Sequence, residues 1–300
     1  MRKLLTTLGT VIILVALTTA CSQTDSKAPQ NNVTDEKNAQ VFKIGAIPDQ
    51  NVSDLKNNMD EISNYLSGKT GLKVEFAPSV DYAALVTAFE RGEVQLAWFG
   101  GLTGVQARSR VPDSEAIAQR PSDSKFHSVF IAQKNLDINE IGDLKGKTFT
   151  FGSESSTSGN LMPRYYLMQA GIDPDKDFNG KPNFSGSHDK TIKLVESGAF
   201  QAGALNIAVW DTYVKDNKVD LSKVKVFYTT PEFFDYNWTI NKVDDTFGAG
   251  TKAKVKEALL SMNSNSGEFM KFFNTDKFVV TNNDNYKAIE AVAKKLRIIK

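Results

Sequence analysis

Apolar residues along this chain fall into short runs separated by segments in which they recur at helical spacing. Phe42–Ile47 is a run of strand length. From Leu55 to Leu66 the apolar positions are Leu55, Met59, Ile62 and Leu66, one face of an amphipathic helix. The alternation continues with strands at Lys73–Phe76, Val94–Phe99, Ala116–Gln119 and Ser128–Ile131 and a helix at Tyr82–Phe89. It restarts at strand Thr148–Phe151. A helix over Leu161–Ala170 then stops at Gly171, and another holding Thr191–Val195 stops at Gly198. Ala202–Leu205, Val224–Tyr228 and Tyr236–Ile240 are further strands, and helices at Ala253–Met262, Glu268–Phe273 and Tyr286–Leu296 close the chain. This order predicts an α/β fold with mostly parallel sheets. Two successive α/β units, with the chain end returning to helices, predict two lobes joined by two hinge crossings, near Phe130–Asn135 and Phe233–Trp238. The first lobe is then residues 41–132 with 238–300, the second is 133–237, and the cleft between them is the natural ligand site.

The first forty residues follow a different pattern. Arg2 and Lys3 precede an apolar stretch, Leu4–Leu17, and Thr18-Thr19-Ala20 supplies small residues before Cys21. That order predicts a signal peptide over 1–20, too short and wrongly flanked for a membrane span. Cys21 is the one cysteine of the chain, which predicts a lipidated N-terminus on the mature protein. Leu17 stands four residues before it, where the usual lipobox has leucine at three. Residues 21–40 are polar and predict a flexible tether. A net charge of +1 leaves no electrostatic footprint for nucleic acid, and two distant histidines with one cysteine make no metal site. No cofactor is expected.

Chemistry concentrates in Thr148–Pro163, TFTFGSESSTSGNLMP. A strand ends at Gly152 and a hydroxyl-rich loop leads into a helix, with Pro163 confined to its first turn. Ser156, Thr157 and Ser158 therefore sit where free backbone N–H groups and the positive end of a helix dipole meet, a setting for an anion held without a formal positive charge. One cap needs one hydroxyl, and Ser155–Ser158 offers four. The segment is neither a Walker A loop nor a nucleophile elbow.

Together, AIPDQN (46–51), DYAALVTAF (81–89), LAWFGG (96–101), SSTSGNLMP, GSHDKTIKLVESG (186–198) and DYNW (235–238) resemble the phosphate-, phosphite- and phosphonate-binding lipoproteins of ABC importers, including a subgroup labelled selenate-binding. The resemblance implies a two-lobed, type II-like periplasmic-binding-protein fold that closes about a hinge on a small oxyanion. It also implies a monomer outside the cytoplasm, lipid-anchored, whose partner is a permease with its ATPase subunits. Carried onto this sequence, it implies that Ser156, Thr157 and Ser158 bind the anion with His188 from the same lobe and Tyr82 from the other. Asp235, at the second crossing, would accept a proton from a monoprotonated phosphorus oxyanion, a hydrogen bond that sulfate or selenate cannot donate. Phe99 stands where some members have a binding tyrosine and is expected to form an apolar wall with Trp98. Ile207-Ala208 replaces the carboxylate that other members direct at a ligand amine. Asp211 is a weaker second acid, and His127 is expected to be structural. Other readings are a selenate- or selenite-binding protein of the same fold, a sensor ectodomain, and a secreted hydrolase using Ser156 or Ser158 with His188; no enzymatic activity is expected.

Overall fold

The computed structural model describes residues 40–300. The expected signal peptide, Cys21 and most of the tether lie outside them. Eleven strands form two sheets: β1 Phe42–Ala46, β2 Val74–Phe76, β3 Leu96–Phe99, β4 Glu115–Gln119, β5 Ser128–Gln133, β6 Phe149–Phe151, β7 Asn183–Phe184, β8 Ala202–Asn206, β9 Val224–Thr229, β10 Asn237–Ile240 and β11 Val279–Val280. The first sheet runs β11-β4-β10-β3-β1-β2 and the second β7-β6-β8-β5-β9. Helices pack on both, as the alternating pattern predicts.

The sheets are mixed rather than mostly parallel. β1 pairs in parallel with β2 and β3, and β6 with β7 and β8, whereas β10 runs antiparallel to β3 and β4, and β5 to β8 and β9. The direction follows from how each strand is reached. Strands that return through a helix end at the junction of the two lobes, except the edge strand β11, which is antiparallel to β4. β5 and β10 enter their sheets from the other lobe, so they start at the junction and run away from it.

The two crossings lie side by side. Phe126 and Phe233 exchange backbone hydrogen bonds at 2.8 and 2.9 Å, and the Asp235 N–H donates to the Asp123 carbonyl at 3.0 Å. The first crossing therefore precedes the expected Phe130–Asn135. Ser128–Gln133 is instead a strand inside the second sheet, flanked by β8 and β9, and the lobe boundary expected at 132 falls before Ser128.

Helix Tyr82–Glu90 buries Leu85, Val86 and Phe89 and is capped by Asp81, whose side chain accepts from Ala84 N–H at 2.7 Å. Helix Gly101–Arg110 has no apolar periodicity and was not legible in the sequence. It is covered on nearly every side, and Gly104 lets Arg108 and Asn237 approach to within about 3 Å of where a Cβ would stand. The first lobe's core extends past its own sheet: Leu161 and Met162, from the second lobe, are buried in it, so the lobes pack on one another.

Candidate oxyanion site

The C-terminal ends of β2, β3, β6, β7 and β8 all lead into helices, at Tyr82, Gly101, Thr157, His188 and Ile207. In open α/β sheets this is the rim where ligands bind, because unpaired N–H groups and helix dipoles gather there. Four of these starts meet at the junction through direct contacts.

The hydroxyl loop is held by its own hydrogen bonds. Ser156 caps the turn, its Oγ accepting from Gly159 N–H at 2.9 Å. Thr157–Leu161 winds as a wide π-type turn, with Leu161 N–H bonded to the Ser156 carbonyl at 2.9 Å, before the α-helix proper at Met162–Gln169. The helical start thus comes at Thr157, ahead of the expected Leu161; the wide turn carries the chain to Pro163 without asking it for a hydrogen bond. Gly159 is required by space. A Cβ there would lie 2.9 Å from Ser156 Oγ, 3.0 Å from His188 Cε1 and 3.1 Å from Gly152 Cα.

Thr157 and Asp235 reach across to the first lobe. The helix at Gly101 has glycine as its N-cap and no side-chain cap of its own. Two of its orphan donors are satisfied from elsewhere: Gly101 N–H donates to Asp235 Oδ1 and Leu102 N–H to Thr157 Oγ1, both at 2.9 Å. Asp235 therefore braces the junction with one oxygen. Its other oxygen, Oδ2, is buried and finds no partner among the described residues. Tyr82 Oη and His188 Nε2 are in the same condition. Tyr82 lies beside Ser156, and Asp235 beside Thr157 and Ser158, close enough for each hydroxyl to temper its neighbour's pKa but outside the geometry of a hydrogen bond. Three buried polar atoms without partners and a hydroxyl loop thus share one junction, and native structures leave few such atoms unpaired.

Burial sets the charges. It raises Asp235 to about 7, despite hydrogen bonds from Gly101 that act the other way. It lowers His188 to about 3, so the imidazole is neutral. His188 Nδ1 accepts from Asn206 N–H at 3.4 Å, which assigns the proton to Nε2 and makes that atom a donor. No lysine or arginine is among these groups. The raised pKa of Asp235 alters one expectation. At or below about pH 7 the acid can itself hold the proton, so a fully ionised anion is disfavoured only when Asp235 is ionised.

Of the residues expected from sequence, Tyr82, Ser156, Thr157, Ser158, His188 and Asp235 come together. Phe99 packs edge-on against Phe89 in the first core, at 5.5 Å. Its neighbour Trp98 points to the opposite face of β3, stacked on Tyr236 at 5.4 Å, because successive strand residues alternate. The two do not form one wall. His127 bonds the Thr230 carbonyl at 2.7 Å beside the crossing. Asp211 lies in a neighbouring surface cleft, with none of the six. Asp189 accepts from the Ser187 hydroxyl and so does not orient His188.

Four residues were missed: Asp49, Arg120, Asn206 and Tyr236. The Tyr236 hydroxyl donates to Asp49 Oδ2 at 2.7 Å and accepts from Asn206 Nδ2 at 2.9 Å; the Asp49 carbonyl accepts from His188 N–H at 2.9 Å. Arg120 is paired with Asp123 at 2.6 Å and lies over the rings of Tyr236 and Trp98, at 4.9 and 5.3 Å. A usable signal existed for two of them: Asp49 and Asn206 follow or end β1 and β8 at the carboxyl rim.

A family profile described as "ABC transporter, phosphonate, periplasmic substrate-binding protein" matches residues 44–286. The chain is 43% identical over 274 residues to a probable ABC transporter phosphite-binding protein, PhnD1, of Prochlorococcus marinus, covering 88% of this chain and 92% of that one. It is 32% identical over 219 residues to the phosphate-import protein PhnD of Mycolicibacterium smegmatis, covering 70% and 66%. The fold superposes on the structure of Prochlorococcus PhnD1 in complex with methylphosphonate with a TM-score of 0.83 and 42% identity, over 86% of this chain and 99% of the other.

Proposed function

The chain belongs to the phosphonate-binding family of periplasmic ABC-transporter components, and we propose that the ligand it delivers to its permease is a monoprotonated phosphorus oxyanion, phosphite or methylphosphonate. Tyr82, Ser156, Thr157, Ser158, His188 and Asp235 hold it. The observation that carries this reading is three of the buried, unpartnered atoms: Tyr82 Oη and His188 Nε2 as neutral donors and Asp235 Oδ2 as an acceptor. An anion with three oxygens and one proton complements that set, and its charge is met by hydroxyls, an imidazole N–H and helix N-termini. Such relatives bind and deliver without turnover, and the hydrogen bonds of His188 and Asp189 favour binding over catalysis, since neither makes a serine–histidine–carboxylate chain. The protein is exported, as its family is periplasmic. We read Cys21 as its lipid anchor and the working form as a monomer.

A second reading has one observation in its favour. With Asp235 raised to about 7, a protonated Asp235 can donate to a fully ionised anion such as selenate or sulfate. Calorimetry of the purified chain with phosphite, methylphosphonate, phosphate, sulfate, selenate and selenite separates the two. The phosphorus oxyanions are expected to bind more tightly at pH 8; a stronger heat-derived affinity for selenate there would overturn the first reading.

A further inference from the structure

Arg108 is a buried cation whose hydrogen-bond partners are all neutral. It lies near the end of the helix that starts at Gly101 and is 8% exposed. Its Nη1 donates to Asn237 Oδ1 at 3.3 Å and to Thr239 Oγ1 at 3.0 Å, and its Nη2 is buried with no partner among the described residues. The guanidinium lies over the Tyr286 ring, 4.8 Å from its centroid. Burial lowers its pKa to about 10, so it stays charged at neutral pH. A buried charge without an acid beside it is a poor source of stability, because its desolvation outweighs what neutral partners return. Its place in the fold calls for another reason, and its partners lead to Asp235.

Asn237 Oδ1 accepts from Arg108 and also from the Thr239 hydroxyl, the latter at 2.6 Å. Two donors on that oxygen fix which way the amide points. Its Nδ2 then donates to the Asp235 carbonyl at 3.2 Å; a flipped amide would set oxygen against oxygen. The start of the same helix holds the Asp235 side chain, through Gly101 N–H to Oδ1 at 2.9 Å, and the Asp235 N–H is taken by the Asp123 carbonyl at 3.0 Å. With its N–H, its carbonyl and one carboxylate oxygen all held, Asp235 has Oδ2 left for a ligand. Gly104 lets this arrangement form: a Cβ there would lie 2.8 Å from Arg108 Nη1 and 3.0 Å from Asn237 Nδ2. Resting on the proposed role of Asp235 in the oxyanion site, we propose that Arg108 and Thr239, acting through the Asn237 amide, are positioning residues that aim Asp235 Oδ2 at the proton of the ligand. Neither touches the anion, and the charge of Arg108 serves to orient the amide.

The test pairs thermal melts with calorimetry against methylphosphonate, in the wild-type background and in Asp235→Ala. Arg108→Met keeps an unbranched apolar stem and deletes the charge; Thr239→Val keeps the shape and deletes the other donor. Arg108→Met is expected to fold and to melt no lower than wild type, since an apolar side chain in place of a buried charge is commonly neutral or stabilising. Its affinity for methylphosphonate is expected to fall by about tenfold. In the Asp235→Ala background the same substitution should change Kd by less than about twofold, because no carboxylate is left to aim. A residue that only supports the fold would show the reverse, a lower melting temperature and an equal loss in both backgrounds. A folded Arg108→Met protein that stays within about threefold of wild type overturns the proposal, and so does a loss that persists undiminished in Asp235→Ala. An Arg108→Met chain that does not fold assigns Arg108 to stability and overturns its part; Thr239→Val, read by the same two criteria, then decides for the Asn237 amide. Asp235→Ala that binds as tightly as wild type, or wild-type protein that binds no phosphorus oxyanion, overturns the oxyanion site instead.

Discussion

Thr157→Val removes one hydroxyl from a side chain that is otherwise almost unchanged in shape, and the geometry gives it two separate costs. Thr157 Oγ1 accepts from Leu102 N–H at 2.9 Å, and both residues are inaccessible to water, 1% and 0% exposed. Valine leaves that N–H orphaned in the closed protein, at about 1–3 kcal/mol, while in an opened protein water satisfies it. The mutation therefore penalises closure even before a ligand is considered. The hydroxyl also has a proton to donate, which the proposed anion would accept. A lost hydrogen bond to a charged group costs about 1.5–3 kcal/mol. The lower ends sum to about 2.5 kcal/mol, roughly seventyfold in Kd. Thr157→Ser keeps the hydroxyl and gives up one buried methyl, about 0.8 kcal/mol, so it should weaken binding by only about fivefold or less. Calorimetry with methylphosphonate on wild type and both variants reads these differences directly, with thermal melts confirming that each is folded. A folded Thr157→Val protein within about threefold of wild type would show that the hydroxyl neither seals the lobes nor touches the ligand.

Asp235→Asn tests the raised acid: because burial lifts Asp235 from 3.8 to about 7, its stabilising contribution is complete below the lower value and is lost as pH rises through the upper one. The ligand-free wild type should lose this contribution between about pH 4 and 7. Asp235→Asn should flatten that part of the melting-temperature profile, leaving Asp49, raised to about 6, with the same sign and His188, lowered to about 3, with the opposite one; identical slopes in wild type and mutant would refute the assignment. Small-angle scattering should show a smaller radius of gyration with methylphosphonate than without, and an unchanged profile at saturation argues against hinge closure. Cys21→Ala in cells is expected to release the protein from the membrane or leave an uncleaved precursor, whereas unchanged retention and size remove the lipid-anchor reading.

Much of this architecture was legible because its strands and helices carry undisturbed periodicity. Leu55, Met59, Ile62 and Leu66 are the buried stripe of their helix, and the hydroxyl loop sits at a helix start as its Pro163 demanded. Strand direction was not legible. The rule that alternating strands and helices give parallel sheets assumes a helix between neighbours, and β5 and β10 cross from one lobe to the other without one. The helix at Gly101 was hidden for another reason: all but its last two residues are covered or half-covered, Arg108 among them, so burial does not follow a helical period, and its caps, Thr157 and Asp235, lie 55 and 134 residues away. The same holds for the hydrogen-bonded Asp49, Tyr236 and Asn206. Asp49, Asn206 and Tyr236 have no spacing in common, and only the closed pair of lobes makes them neighbours.

The junction's use of neutral donors follows from how deeply it is buried. A lysine or arginine there would match an anion's charge, but it would hold the lobes apart or shift its pKa whenever no ligand was present, because an unpaired buried charge is expensive. Hydroxyls, N–H groups and an uncharged imidazole carry a much smaller cost when the lobes close on nothing. They can still stabilise an anion because several act at once and two of them extend helix dipoles. Asp235 obeys the same logic. Burial lifts it to about 7, so it closes as a neutral acid or meets a ligand that brings its own proton. On the proposed binding mode, either route places one proton between Asp235 Oδ2 and the anion. A phosphorus oxyanion supplies that proton near neutral pH, whereas sulfate and selenate do not. On that reading selectivity resides in who carries the proton, and it is expressed where Asp235 is ionised while the phosphorus oxyanion still holds its own proton.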